Sequence, residues 1–227
     1  MDGTSPLASA LTALADTLRH HRDLGVRELP LEGDYLLGPA DALAAQERAL
    51  QGCRLCRLCE ARSTIVFGSG NPRAELIVIG EGPGADEDAQ GVPFVGRAGQ
   101  LLTKMLESVQ LSREEVYISN AVKCRPPSNR NPEADELAAC RPFLDAQLAT
   151  VRPKVVLALG SVATQALLHT REAIGRLRGR MHPFGSAVLI PTFHPAFLLR
   201  NPGPEYRRMA WDDLKLAKRE YESRRTR

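Results

Sequence analysis

The cysteines are the residues whose spacing most clearly suits chemistry. Cys53 and Cys56 are separated by two residues, a spacing that lets two thiolates bind one metal centre. Cys124 lies 68 residues after Cys56, and Cys140 lies 16 residues after Cys124. In a reducing compartment this crowding favours a metal or a cluster over disulfides. Four thiolates from two distant segments could hold zinc or an iron–sulfur cluster, and the spacing leaves both open.

Glycines and polar residues directly after four short apolar runs indicate a second candidate site. The runs are rich in Val, Ile and Leu, as buried strands are, and comprise residues 76–79, 116–118, 155–159 and 187–190. After them come, in turn, the glycine-rich turn 80–84 (GEGPG), Asn120, Ser161 and His194. Ligands of parallel sheets bind at the carboxyl ends of the strands. We therefore expect these four features to meet at one edge of the sheet.

Helical patterns alternate with these strands and set the expected architecture. They cover residues 98–109, 133–149, 162–168 and 206–221. Strands alternating with helices predict a mostly parallel sheet covered on both faces. The expected fold is an α/β, three-layer α/β/α sandwich whose central sheet has four strands, and it occupies residues 51–227.

Residues 1–50 are predicted to be an N-terminal helical and linker extension. Residues 7–18 are rich in Ala and Leu, residues 25–39 carry the Gly, Pro and Asp of a linker, and residues 41–51 form a second short helix. This part holds four Arg and Lys against eight Asp and Glu. It carries none of the candidate site residues.

The overall composition excludes several classes of protein. Of the 227 residues, 43% are hydrophobic and 25% are charged, which is ordinary for a globular protein and rules out fibrous and wholly disordered chains. No apolar run reaches the roughly 18 residues of a membrane span, and the N-terminus lacks a signal-peptide pattern. These features predict a cytoplasmic protein. Residues 171–227 carry a net charge of +7, which suits nucleic acid or, equally, a solvated helix face.

Singly, these motifs have commoner explanations. The 80–84 turn is neither a dinucleotide fingerprint nor a phosphate loop, and it would serve as an ordinary turn. His194 would by itself be a core histidine, and Asn120 a turn residue. Together, however, the motifs of residues 53–211 resemble the family 4 uracil-DNA glycosylases, the iron–sulfur members of that superfamily. The motifs that carry the resemblance are 80–84 (GEGPG), 91–96 (GVPFVG), 120–127 (NAVKCRPP) and 194–200 (HPAFLLR).

The resemblance implies a metal centre and separates this chain from a related group. Four cysteines match the family's ligands of a structural [4Fe-4S] cluster, namely Cys53, Cys56, Cys124 and Cys140; Cys59 matches none. Relatives that trap DNA covalently carry a Lys-Arg-Arg-Ile-His loop after the asparagine motif. Residues 126–130 (PPSNR) stand there in this chain and contain no histidine. This difference indicates a monofunctional hydrolase.

The resemblance also assigns roles at the second site. Phe94 would stack on a flipped uracil, and Asn120 would hydrogen-bond O4 and N3–H of its edge. Glu87 would exclude the methyl group of thymine, and His194 would donate to O2 as negative charge develops. Gly82 belongs to the uracil-binding turn, where better-known glycosylases have aspartate. The adjacent Glu81 would orient the attacking water.

The remaining assignments concern the partner, which the resemblance implies is uracil-containing DNA, single- or double-stranded. Leu198 and Leu199 would fill the gap in the base stack. Phosphate contacts are expected from Arg200, Arg178 and Ser161. The enzyme would act as a monomer in base excision repair, without a membrane, and be nucleoid-associated when bound to DNA. Two other hypotheses are a redox protein whose cluster is the active element and a DNA-binding module with structural zinc.

Overall fold

The computed structural model describes residues 38–225. The helix predicted at 7–18 and most of the linker predicted at 25–39 lie outside these residues. Every helix within them is too short or too polar to span a membrane.

A mixed sheet forms the middle layer of the described part of the chain. Its strands are β1 (Ser69–Gly70), β2 (Leu76–Gly80), β3 (Tyr117–Asn120), β4 (Val155–Leu159), β5 (His182–Phe184) and β6 (Ala187–Thr192). Their order across the sheet is β1-β3-β2-β4-β6-β5. The four middle strands pair in parallel, while β1 and β5 pair antiparallel at the two edges.

The four parallel strands confirm the sequence prediction. Strands β2, β3 and β4 are buried along their whole length, as strands covered on both faces of a sheet are. The expectation of only four strands needs correction. The edge strands β1 and β5 are two and three residues long and incompletely buried. Such short segments carry too little hydrophobic pattern to be recognised from sequence.

Helices cover both faces of the sheet and complete the three layers. Their bounds are α1 (Pro39–Leu50), α2 (Ala85–Gln90), α3 (Arg97–Glu107), α4 (Ala134–Val151), α5 (Gly160–Leu168), α6 (Ile174–Leu177), α7 (Pro195–Arg200) and α8 (Pro204–Arg225), with 3-10 turns at Arg57–Glu60 and Pro127–Asn129. One core cluster joins the sheet to α3, α7 and α8. The second joins the opposite face to α1, α4 and α5.

Helix α1 packs on the sheet's second face, although the sequence assigned its residues to the extension. Leu43 and Leu50 are buried in that core, and Gln46 Nε2 donates to Thr150 Oγ1 of α4 at 2.7 Å. The compact unit correspondingly begins at Gly38 rather than at residue 51. By its contacts, α1 is part of the folded unit.

We expect the stability of two truncated chains to show whether α1 belongs to the folded unit. A chain starting at residue 38 keeps α1, whereas a chain starting at residue 49 loses Leu43 and the Gln46 contact. Removing one buried leucine side chain costs about 2–5 kcal/mol, which lowers an unfolding temperature by roughly 5–15 °C in a domain of this size. Thermal unfolding of both chains checks this. Equal unfolding temperatures would show that α1 packing contributes nothing.

Candidate active site

A cavity of about 400 Å³ opens at the carboxyl ends of the middle strands. Its walls come from the turn after β2, the segment before α3, the end of β3, the loop after it, and the start of α7. Seven of the residues predicted for the site line this cavity: Glu81, Gly82, Glu87, Phe94, Asn120, His194 and Arg200. Ser161, Arg178, Leu198 and Leu199 do not line it. The convergence expected at the strand ends is therefore present for three of the four features.

Phe94 is held in an unusual backbone conformation against the end of β2. Its φ angle is 55°, a left-handed value that bulky residues seldom adopt, and its ring lies 5.8 Å from that of His194. A Cβ at Gly80 would lie 2.4 Å from the Phe94 ring and 2.4 Å from Asn120 Oδ1. Gly80 thus leaves the space in which the aromatic ring and the amide meet.

Arg113 fixes the Phe94 backbone from outside the cavity and was not predicted. Its guanidinium donates to the Phe94 carbonyl at 2.9 Å and to the Pro93 carbonyl at 2.8 Å. Burial lowers the pKa of Arg113, since its charge is partly removed from water. The arginine lies in the loop before β3, where no sequence motif connects it with Phe94. Only the folded chain brings the two together.

Glu87 ties two walls of the cavity to each other. One oxygen accepts from the backbone N–H groups of Val95 and Gly96, both at 2.9 Å, and the other accepts from that of Gly84 at 3.1 Å. The carboxylate therefore holds the glycine-rich turn and the Phe94 segment together. This contact set differs from the role predicted for Glu87, exclusion of a methyl group, which stays a prediction.

Asn120 presents an unsatisfied acceptor to the cavity. The residue ends β3 and is 1% exposed. Its Oδ1 is buried and has no hydrogen-bond partner. Buried polar atoms are nearly always paired in folded proteins, so an unpaired amide oxygen in a cavity wall is suited to accept an N–H group of a ligand.

His194 is arranged to be a neutral donor. Its Nδ1 accepts from the backbone N–H of Ala196 at 3.1 Å, which leaves the ring proton on Nε2. Burial, assisted by the positive charge of Arg200, lowers the pKa of His194 to about 4. At neutral pH the imidazole is therefore uncharged and has an N–H to donate.

Glu81 is the acidic residue of the glycine-rich turn, and its side chain lines the cavity. Burial raises the pKa of Glu81, and the charge of Arg200 partly opposes this effect. The neighbouring Gly82 has no room for a side chain, because a Cβ there would lie 2.8 Å from Cγ2 of Val122. Residues 80–84 therefore offer one carboxyl group to the cavity, that of Glu81.

The loop of residues 125–130 after β3 lines the cavity mouth. Arg130 forms a two-pronged pair with the fully buried carboxylate of Glu136, at 2.6 and 2.8 Å. This pair lowers the pKa of Glu136 to about 2. Within the loop, Arg125 Nε donates to Asn129 Oδ1 at 2.8 Å. The loop is therefore anchored to α4 rather than free.

The predicted wedge residues are separated by the geometry of α7. Leu198 is 3% exposed and belongs to the core, whereas Leu199 is 41% exposed. Consecutive residues of a helix point about 100° apart, so one of the two leucines faces inward. Leu199 is therefore the leucine exposed on this surface, and the expectation that both residues fill the gap in the base stack stays a prediction.

Arg178 has an internal partner that the sequence did not reveal. It pairs with the fully buried Asp213 at 2.7 and 2.9 Å, and its guanidinium lies 5.3 Å from the Phe193 ring. These contacts tie the end of α6 to α8. Ser161 stands in the first turn of α5. Phosphate contacts by Arg178 and Ser161 stay predictions, and the geometry favours Arg200, which is exposed at the cavity.

The four cysteines of the predicted metal centre line one small cavity, and Cys59 does not. Arg62 Nη1 lies 3.2 Å from Cys124 Sγ, and the Lys123 N–H donates to Cys140 Sγ at 3.3 Å. Burial raises the pKa of the Cys140 thiol to about 11. Among residues 38–225, no three Cys, His, Asp or Glu side chains lie close enough together to hold one metal ion. A shared wall of soft donors with N–H···S contacts fits a sulfur-ligated centre.

Comparison with known proteins is consistent with this arrangement. Residues 67–215 match the family described as the uracil DNA glycosylase superfamily. The chain belongs to this superfamily. It is 45% identical to a type-4 uracil-DNA glycosylase of Thermotoga maritima over 73% of this chain and 88% of the relative. It is 46% identical to the type-4 enzyme of Saccharolobus solfataricus over 66% and 74%.

Identity to type-5 relatives is lower. The chain is 30% identical to a type-5 uracil-DNA glycosylase of Thermus thermophilus, over 76% of this chain and 95% of the relative. Together with the type-4 matches, this confirms the resemblance to family 4 that the motifs indicated.

We expect Arg113→Met to weaken the Phe94 platform without removing it. Two hydrogen bonds from a charged donor would be lost, each worth about 1.5–3 kcal/mol, so Phe94 should leave its left-handed conformation more often. Single-turnover removal of uracil from an oligonucleotide should fall about tenfold or more. Arg97→Met, at another arginine of the cavity wall, serves as the control. Wild-type rates in Arg113→Met would show that Phe94 is held without it.

Proposed function

We propose that this protein flips uracil out of DNA and hydrolyses its N-glycosidic bond, leaving an abasic site for base excision repair. The observation that carries the proposal is the unpartnered Asn120 oxygen beside the Phe94 ring in a cavity at the strand ends. The names of the type-4 relatives support the same activity. A base must leave the duplex stack to enter such a cavity.

The base would be recognised by its hydrogen-bonding edge. Asn120 Oδ1 would accept from uracil N3–H, and the amide nitrogen would donate to O4. Cytosine presents an acceptor at N3 and a donor at N4, so it would meet Asn120 with both polarities reversed. Phe94 would stack on the base ring, and the affinity from stacking does not depend on the hydrogen-bonding edge of the base. Discrimination thus comes from Asn120 and not from the aromatic platform.

Bond cleavage would be assisted by charge stabilisation. As the C1′–N1 bond breaks, its electron pair moves to uracil and negative charge develops on O2. The neutral His194 would donate its Nε2–H to that oxygen and stabilise the transition state more than the ground state. Water oriented by Glu81 would then add to C1′ and give up a proton to the Glu81 carboxylate, from which it passes to solvent, while the uracil anion leaves and takes a proton from solvent. The half-buried carboxylate would also stabilise positive charge on the sugar.

The DNA would be held by the exposed end of α7. Leu199 would occupy the space that the flipped base vacates, and Arg200 would contact a phosphate. The excess of basic residues after residue 171 favours a polyanionic partner. Action as a monomer, on single- or double-stranded DNA, in the cytoplasm and nucleoid, completes the proposal.

We assign the cysteine cavity to a structural [4Fe-4S] cluster held by Cys53, Cys56, Cys124 and Cys140. All-sulfur ligation suits such a cluster, and zinc is the alternative. When bound, the group would cross-link the segment after α1 to the loop after β3 and to α4. Hydrolysis of the glycosidic bond transfers no electron, so no catalytic step requires it.

The reading role of Asn120 is tested by Asn120→Asp. The substitution keeps the shape but removes the donor to O4 and, when ionised, places an acceptor against O4. Losing this hydrogen bond in a desolvated cavity costs about 1–3 kcal/mol, so single-turnover uracil excision should fall about tenfold to over a hundredfold. Asn129→Asp adds the same charge at the cavity mouth, and uracil excision should fall much less in that variant.

Excision of unpaired cytosine is measured alongside. The carboxyl introduced by Asn120→Asp, when protonated, could donate to cytosine N3 and accept from N4–H, so weak cytosine release is expected in that variant alone. If Asn120→Asp removes uracil at the wild-type rate, Asn120 does not read the base and the proposed recognition fails.

The ligand assignment is tested by serine substitutions. Ser at Cys53, Cys56, Cys124 or Cys140 should lose bound iron and soluble protein together, because metal-binding energy is also folding energy. Cys59→Ser is the matched control and should stay brown, with absorbance near ~400 nm, and active. A colourless Cys59→Ser protein would overturn the assignment, and a colourless wild type containing zinc would overturn the cluster.

A further inference from the structure

The turn formed by residues 178–181 (RGRM) lies at the same edge of the sheet as the cavity. It precedes β5, which runs antiparallel to β6, and His182 at the start of β5 pairs with Leu189 in the middle of β6. The residues before His182 therefore extend towards the carboxyl end of β6, after which His194 and α7 follow. The turn is placed on the side of the protein where a flipped base would enter.

Two contacts hold this turn in place. At its start, the Arg178 guanidinium donates to the buried carboxylate of Asp213 at 2.7 and 2.9 Å. At its end, His182 Nε2 donates to the Leu177 carbonyl at 2.8 Å. Between them, Gly179 has a φ angle of 79°, a left-handed value that favours glycine and lets the chain reverse. The turn is therefore held at one position on the surface.

The turn presents Arg180 and Met181 to solvent. Met181 is 45% exposed, and Arg180 is exposed beside it. An exposed apolar side chain followed or preceded by an exposed arginine also occurs at the end of α7, in Leu199 and Arg200. Single exposed apolar residues are common on protein surfaces. Here, however, the same combination occurs twice at the edge of the sheet where DNA would lie.

The strand order places the turn beyond α7 as seen from the cavity. Uracil would be read at the ends of β2 and β3, whereas α7 follows β6, and β5 pairs with β6 on the side away from β2. With neighbouring strands roughly 4.8 Å apart, β5 lies three strands, or about 14 Å, from β2. The Arg178 guanidinium lies 5.3 Å from the ring of Phe193, which precedes α7. Because Leu199 of α7 would fill the stack at the flipped nucleotide, a surface beyond α7 faces the opposite strand.

We propose that the turn of residues 178–181 binds the DNA strand opposite the flipped uracil. Met181 packs against the base that is left without a partner, and Arg180 contacts a phosphate of the same strand. The proposal rests on the proposed function, because it takes the cavity at the strand ends as the uracil site. An apolar side chain against the unpaired base offsets part of the cost of unstacking. Methionine is unbranched and adapts its shape, which suits a site where the opposite base can be guanine or adenine.

The test of Met181 compares single-turnover uracil excision from single-stranded and double-stranded oligonucleotides of the same sequence. A contact with the opposite strand exists only in the duplex. Met181→Ala should therefore lower duplex excision about tenfold, since an apolar side chain buried on binding is lost, and should lower the ratio of double-strand to single-strand excision. Met181→Leu keeps an apolar side chain of similar size and should restore most of the wild-type ratio.

The test of Arg180 measures binding to a duplex that carries an uncleavable abasic-site analogue, at several salt concentrations. Arg180→Met should reduce the slope of log affinity against log salt by about one unit, because one phosphate contact is lost. Arg73→Met is the matched control. Arg73 is also exposed but lies just before β2, at the opposite edge of the sheet, so this variant should keep the wild-type slope.

A wild-type excision ratio in Met181→Ala, or a wild-type salt slope in Arg180→Met, would overturn the proposal. So would a wild-type protein that removes uracil from single strands alone. Failure of the proposed function has a different signature, because the wild-type protein would then release no uracil from either oligonucleotide.

Discussion

The cavity depends on the parallel pairing of β2 with β3 and on the missing side chain where they end. Their register sets Gly80 opposite Asn120, so the amide is carried to the sheet edge by the strand itself. Because Gly80 has no Cβ, the Phe94 ring can approach the same point from the next segment of chain. An alanine at Gly80 would collide with both groups, and neither could then occupy its place.

Around that point, several polar side chains are occupied by hydrogen bonds to the backbone. Glu87 is engaged by three backbone N–H groups, Arg113 by two carbonyls, and His194 Nδ1 by the following helix. The cavity is therefore faced by a small number of orientated atoms. A preorganised site of this kind need not reorganise when charge develops in the transition state.

The sequence predicts the parts of the fold and site that are encoded locally. The apolar runs identify the four parallel strands, and the polar residues directly after them identify Asn120 and His194, because strand ends of parallel sheets meet at one edge. The internal bonds of Arg113 and Arg178 were missed, since each has partners far along the chain. The sequence did not distinguish the buried Leu198 from the exposed Leu199, because a pair of adjacent leucines does not show which faces inward until the helix is packed.

The narrow space between Gly82 and Val122 limits which residues the glycine-rich turn can carry. A Cβ at Gly82 would lie 2.8 Å from a methyl group of Val122, a β-branched and fully buried residue. A side chain at Gly82 would require Val122 or the turn itself to shift. Whether this turn can carry a second carboxyl group is therefore tied to the volume of the side chain at position 122.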